Sequence, residues 1–279
     1  MSPSVDGAIA GMLVVLAGIF GLVVGSFLNV VIYRVPNGLS VVSPPSACPR
    51  CGAAISPRDN VPVLSWLILG GKCRSCKVAI ATRYPLVELG TALAFAGVTA
   101  WVVGLQAGTN PIQTVLTLLA FLYLAAISIA LALIDLDVHR LPNSIVLPSY
   151  AVGGVLLGTS GILGGDLAAL LRVGIGMAIL WVAYLLMAVA YPGGMGFGDV
   201  KLAGVLGMFL GYLGWGELAV GAFSAFLLGG VFALGLVVAR RANRKSGIPF
   251  GPWMLAGAWV GIFFGAAVWD GYLNLLGVA

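Results

Sequence analysis

The sequence predicts an all-α polytopic membrane protein of about eight transmembrane helices, carrying a zinc-ribbon-like insertion on its cytoplasmic side. Three observations carry that prediction. Hydrophobic residues fill 61% of the 279 positions while charged residues fill 8%; the apolar residues fall in runs of spanning length; and the charges cluster between those runs. A helix needs roughly 17–25 apolar residues to cross a hydrocarbon core of about 30 Å. Such runs lie at about 8–33, 86–104, 112–134, 145–163, 167–190, 201–216, 217–239 and 251–273. The sixth is short and glycine-rich, and without it the count is seven.

The first run is longer than the apolar stretch of a cleavable signal and continues directly into Gly25-Ser26-Phe27-Leu28-Asn29, so it reads as a permanent helix. Residues 34–85 are the one substantial segment outside the bilayer. They contain Arg34, Arg50, Arg58, Lys72, Arg74, Lys77 and Arg83, and a second basic group, Arg240, Arg241, Arg244 and Lys245, follows the seventh run. Short cytoplasmic loops carry the excess of Lys and Arg, and eight crossings put both groups on one side. That side is then the cytoplasm, with both termini outside. Asp6, Gln106–Pro111 and Gly161–Asp166 face out, and the turns carrying Asp135 and Asp199 face in. Topology accounts for the net charge of +5, so the partner it implies is the lipid bilayer and not nucleic acid.

All four cysteines lie in the long loop as Cys48-Pro49-Arg50-Cys51 and Cys73-Arg74-Ser75-Cys76, with 21 residues between the two motifs. Two CxxC knuckles offer four thiolates to one ion, which suits structural zinc in a closed tetrahedral shell. A loop of this size has little core of its own, and a metal clip supplies folding free energy. Disulfides, a redox pair or inert thiols are the alternatives. A reducing compartment disfavours the first, and a redox role would need a single CxxC. Between the knuckles, Asp59–Lys72 includes an apolar patch too short to span; it packs on the membrane surface or on the ribbon, as a small core or a substrate surface.

The third run closes with Asp135, followed by Leu136-Asp137-Val138-His139-Arg140-Leu141-Pro142-Asn143, where proline and asparagine suit the start of the next helix. The sixth opens at Gly196-Phe197-Gly198-Asp199-Val200-Lys201. Ionisable residues at such positions are expensive and point to function. Two adjacent carboxylates cannot easily both ionise, so the pair holds a general acid and a general base. One activates water while the other hydrogen-bonds a scissile carbonyl, a route that needs no cofactor. Gly196 and Gly198 remove side-chain bulk where an extended peptide could approach. His139 is the sole histidine, and no Gly-x-Ser-x-Gly elbow is present. Against this stands helix capping or solvation in the headgroups for either acid, and Asp137 competes with Asp135 for any catalytic role. A proton- or cation-coupled transporter also uses intramembrane acids, although these lie at one face and no inverted repeat is visible. A third possibility is a non-catalytic assembly factor whose cysteine loop docks partners.

Taken together, Gly25–Pro36, the two CxxC knuckles, Asn60–Trp66, Arg83–Glu88, Asp135 seven residues before Pro142, and Gly196–Leu202 stand in the order of one family. The chain resembles the bifunctional type IV prepilin peptidases, membrane aspartic proteases of the GxGD class. The resemblance implies that residues 1–33 form a first helix, 34–85 a methyltransferase region and 86–279 the peptidase domain. It implies cleavage of type IV prepilins and pseudopilins at the cytoplasmic face, with Asp135 and Asp199 matching the catalytic pair and Asp137 an acidic but non-catalytic position. It further implies N-methylation of the new N-terminus with S-adenosylmethionine. Asn29, Asn60, Arg83 and Glu88 are candidates to line that site; peptidase activity without methylation is the alternative. Ile80-Ala81-Thr82 departs from the family, which more often has serine after the isoleucine.

Overall fold

The computed structural model describes residues 3–105, 110–191, 193–239 and 248–278, with side chains from Gly7 onward. The basic residues Arg240, Arg241, Arg244 and Lys245, positions 106–109 and the Asp6 side chain lie outside the described residues. The helices are α1 (Pro3–Arg34), α2 (Leu64–Ile68), α3 (Arg83–Leu105), α4 (Pro111–Val138), α5 (Asn143–Leu163), α6 (Leu167–Ala190), α7 (Phe197–Leu213), α8 (Trp215–Val238) and α9 (Gly251–Leu275). A short 3-10 turn spans Pro57–Asp59, and the only β pairings among the described residues are two isolated bridges, Ala47 with Ala54 and Lys72 with Ala79.

Local chemistry sets several boundaries. The Asn110 side chain accepts the Ile112 N–H at 2.9 Å to open α4, Asp166 accepts the Ala169 N–H at 2.8 Å to open α6, and Pro142 precedes α5. Each supplies an acceptor or a fixed φ where the first turn has unsatisfied donors. Among the described residues seven helices are long and apolar enough to cross a membrane. The exception is α7, at 17 residues, about 26 Å at 1.5 Å per residue. Its residues 202–211 are all buried, so the glycine-rich apolar run serves as the packed centre of its unit. A helix that is apolar all round is buried in protein or in lipid, and here the protein covers it.

The chain divides into two compact units, Met1–Ala107 with Phe121–Ala130, and Gly108–Ala120 with Leu131–Ala279. In the first, α1 lies against α3 at glycines four residues apart. A Cβ on Gly21 would sit 2.7 Å from Ala92 Cα, and one on Gly25 would sit 2.6 Å from Glu88 Cα. Such spacing lets backbones approach where lipid gives no hydrophobic drive to association. Trp101 and Phe121 pack edge to face with centroids 5.0 Å apart.

The second unit repeats the device. Gly207 and Gly211 of α7 face Gly176 and Arg172 of α6, and Gly257, Gly261 and Gly265 of α9 run along Glu217, Gly221 and Ala225 of α8. At one end of this unit, Thr117, Ser160 and Tyr212 join their hydroxyls at 2.8–3.2 Å. Thr117 lies 18 positions before Asp135 on α4, about 27 Å along the axis. The acids therefore occupy the opposite end.

Candidate active site

Asp135 sits within α4 and is 5% exposed, whereas residues 136–140 are exposed. Asp137, two residues on, is turned about 200° around the helix. Burial thus separates the two acids that the sequence left in competition. One oxygen of Asp135, Oδ2, accepts the N–H of Gly251 at 3.0 Å. Gly251 is the first residue of α9, where backbone donors have no partner in their own helix and the dipole favours an anion.

Asp199 is the third residue of α7, and its Oδ2 accepts the Gly196 N–H at 3.1 Å. The Asp199 N–H in turn donates to the Gly196 carbonyl at 3.0 Å, so the pair closes the first turn of α7 through backbone and carboxylate. The charge of Asp135 acts on Asp199, and that of Asp199 on Tyr184. Leu141 lies between their supports: a Cβ on Gly198 would meet Leu141 Cβ at 3.1 Å, and one on Gly251 would meet Leu141 Cδ2 at 3.3 Å and Asp135 Oδ2 at 2.8 Å. Lys201 Nζ donates to Asn143 Oδ1 at 2.9 Å and stands 4.9 Å from the Phe197 ring centre. The Tyr150 hydroxyl donates to the Lys201 carbonyl at 2.6 Å, so the starts of α5 and α7 are fixed together. Tyr184, Phe226 and Phe250 form an aromatic triangle with centroids 5.3–6.4 Å apart, and Phe250 immediately precedes Gly251.

The two glycines expected to receive an extended peptide differ. Gly196 is exposed, and a Cβ there would make only an ordinary contact with Asp199 Oδ2 at 3.4 Å, whereas Gly198 is pressed against Leu141. Gly251, Leu141 and Tyr184 were not singled out in the sequence. Gly251 had a signal, since Phe250-Gly251-Pro252 opens an apolar run on the side expected for Asp135.

In the first unit, the Sγ atoms of Cys48, Cys51, Cys73 and Cys76 all lie within 4.8 Å of one another, with Cys48 and Cys76 at 3.8 Å. Tetrahedral thiolates with metal–sulfur bonds of about 2.3 Å place sulfurs about 3.8 Å apart, so the four fit one ion. The knuckles share a turn: Gly52 N–H donates to Cys48 O at 2.9 Å, and Lys77 N–H to Cys73 O at 3.0 Å. Gly52 and Lys77, each following the second cysteine of its motif, have φ of 69° and 58°. The backbone N–H groups of Cys51 and Arg50 pull the Cys48 thiol down to about 6, while the neighbouring sulfurs push the Cys51 thiol up to about 11. Arg74 holds Asp59 through two bonds of 2.7 and 2.6 Å, tying the second knuckle to the 3-10 turn. The same guanidinium keeps the Asp59 carboxyl below its ordinary range.

Of the other polar candidates, Glu88 is 9% exposed and accepts the Val63 N–H at 2.7 Å. Asn29 donates to the Tyr84 carbonyl at 3.1 Å. Asn60 is exposed beyond the 3-10 turn, and Arg83 opens α3 half-buried.

Residues 19–102 match the family described as Bacterial Peptidase A24 N-terminal domain, and residues 121–234 match the Type IV leader peptidase family. A prepilin leader peptidase/N-methyltransferase of Pseudomonas aeruginosa is 38% identical over 93% of this chain and 93% of its own length. Proteins of the same description from Aeromonas salmonicida and Stutzerimonas stutzeri are each 35% identical, over 92% and 94% of this chain and 93% and 94% of their own lengths. No solved structure matches the chain. With two family domains in sequence and relatives alike from end to end, the chain belongs to the type IV leader peptidase family.

Proposed function

We propose that this protein is a bifunctional multi-pass membrane enzyme that removes the leader of type IV prepilins and pseudopilins and then N-methylates the exposed N-terminus, with Asp135 and Asp199 as the peptidase's acid and base. One observation supports the assignment of the pair. The two carboxylates lie at the same end of one unit, and each is fixed by a glycine N–H through one oxygen.

Neighbouring carboxylates favour a shared proton. The ionised member takes a proton from water, the hydroxide equivalent attacks the scissile carbonyl, and the protonated partner donates to the carbonyl oxygen. Collapse of the tetrahedral species breaks the C–N bond, and the leaving amine takes a proton from the pair. Fixing one oxygen of each acid through backbone limits the motion that a side-chain anchor would permit. Gly196, exposed beside Asp199, is the backbone against which the substrate lies extended. With α7 counted as an eighth crossing, the loop charges support a site at the cytoplasmic face with both termini outside.

The four cysteines bind zinc in a closed structural shell, and residues 34–85 with the start of α3 form the methyl-transfer region. S-adenosylmethionine supplies the electrophilic methyl group; Asn29, Asn60, Arg83 and Glu88 are the polar groups proposed around that step. The test is mass spectrometry of a prepilin incubated with S-adenosylmethionine and purified enzyme. Wild type yields a cut, methylated product, whereas Asp199→Asn yields uncut substrate. Full processing by Asp199→Asn would end the aspartic mechanism, and a cut but unmethylated product from wild type would reduce the protein to a peptidase.

A further inference from the structure

Val63 has φ 60° and ψ −51°, and Leu64 N–H donates to Pro62 O at 2.6 Å. That is the i to i+2 bond of a γ-turn with positive φ, a rare and strained form, here at a β-branched residue for which positive φ is an outlier. Strained backbone persists where its surroundings over-determine it, and it clusters at functional sites. The surroundings of Val63 are unusually complete. Val61 N–H donates to Ser65 Oγ at 3.0 Å, Ser65 Oγ donates to Arg58 O at 3.1 Å, and Trp66 Nε1 donates to Ile80 O at 3.1 Å. Arg74, between the cysteines of the second knuckle, clamps Asp59 next to this network. The product of all this constraint is one N–H delivered to Glu88.

Glu88 receives Val63 N–H at 2.7 Å and has Ser26 as its other partner. Both are neutral. Among the described residues no cation is paired with Glu88, although it is 9% exposed; the other described acid of this unit, Asp59, has its guanidinium. A buried carboxylate without a counter-charge is costly, and two hydrogen bonds leave about half its acceptor capacity unused. A cation brought against Glu88 would relieve that cost.

We propose that Glu88 binds the α-ammonium group of the cleaved substrate and accepts a proton from it, so that the amine can be methylated. This rests on the methyltransferase reading above. The proton passes from nitrogen to the carboxylate, and the freed nitrogen lone pair forms the new N–C bond. The methyl–sulfur bond breaks with its electron pair remaining on sulfur. The product is a secondary ammonium, and the Glu88 proton is released to water. The strained turn and the metal-clamped loop hold the carboxylate in place for this step.

The experiment uses full-length enzyme in detergent and a peptide of the mature pilin N-terminus, with either a free or an acetylated amine. Charge-assisted hydrogen bonds predict that wild type prefers the free amine by about 10- to 100-fold, and that Glu88→Gln loses the preference. Methylation by Glu88→Gln should fall about 100-fold at pH 7 and recover as pH rises past about 8, where an α-amine deprotonates unaided. A retained preference, or a methylation loss equal at every pH, would overturn the proposal and leave Glu88 a scaffold for Val63. It would also fall if Glu88→Gln kept the amine preference but lost discrimination between S-adenosylmethionine and its uncharged thioether product. Wild type that methylates nothing indicts the methyltransferase reading itself, whereas methylating wild type with an indifferent Glu88→Gln indicts only Glu88.

Discussion

Gly251→Ala tests the peptidase geometry with a single methyl group. The added Cβ would stand 2.8 Å from Asp135 Oδ2, while ordinary contact begins at 3.4 Å, so the carboxylate or the start of α9 must yield by about 0.6 Å. Leu141 Cδ2 at 3.3 Å blocks the easy escape. Displacement of a catalytic group by about 1 Å can cost 10²-fold in rate, so leader cleavage should lose about 10- to 100-fold in kcat with little change in KM. Overpacking of this size costs roughly 1–3 kcal/mol of stability, which leaves the protein folded. Initial rates on a purified prepilin in detergent report the change, and methylation of pre-cleaved pilin by the same preparation reports folding. A kcat within twofold of wild type would show that this amide does not hold Asp135 during the reaction. Equal losses of cleavage and methylation would show general unfolding in place of a displaced carboxylate.

The buried and exposed acids should separate cleanly: Asp135→Asn abolishes leader cleavage, by about 10³-fold or more, whereas Asp137→Asn stays within about threefold of wild type in the same assay. Metal analysis of purified protein should give one zinc per chain, and Cys48→Ser should lose it; freely titratable thiols with no metal in wild type would refute the four-thiolate site. Chelation should impair methylation before leader cleavage, because Arg74 of the second knuckle is tied to Asp59 beside the Val63 turn; equal loss of both activities would refute this. Gly261→Leu places its Cβ 2.6 Å from the Glu217 carbonyl and should push α8 from α9. A loss of about 3 kcal/mol or more is expected from such overpacking, read as a lower thermal midpoint in detergent; an unchanged midpoint would mean that α8 and α9 separate without cost.

Much of this was legible in the chain because bilayer crossing imposes a length, and seven of the eight expected runs became helices able to span. The eighth, α7, formed a 17-residue helix enclosed by its own unit. Hydropathy measures composition and not surroundings, so it cannot tell a helix facing lipid from one enclosed by other helices. Asp135 and Asp199 were legible as costly charges, and the cysteines as two knuckles of matching spacing. What supports them was not. Gly251 lies 116 positions from Asp135 and contributes a backbone N–H, a group every residue but proline owns, so no side-chain pattern announces it. Val63 was equally hidden, since a valine reads as apolar filler and its backbone strain appears only with coordinates.

The manner in which the two acids are held also explains where glycine is spent. Among the described residues neither carboxylate is anchored by an arginine or lysine: Asp135 takes the amide of Gly251 and Asp199 that of Gly196. A cation at either position would favour full ionisation of its partner and destroy the shared proton that acid–base hydrolysis requires. A backbone N–H fixes direction with no full charge, but it must come within 3.1 Å, and only a residue without Cβ leaves room at Gly251 beside Leu141. The glycines along α6, α7, α8 and α9 extend the same logic, since helices separated by hydrogen atoms alone bring their termini to the acids without intervening side chains. Substitutions that keep these backbones close should therefore be tolerated even where they alter nearby polar side chains, and methyl-sized additions at the glycines should not.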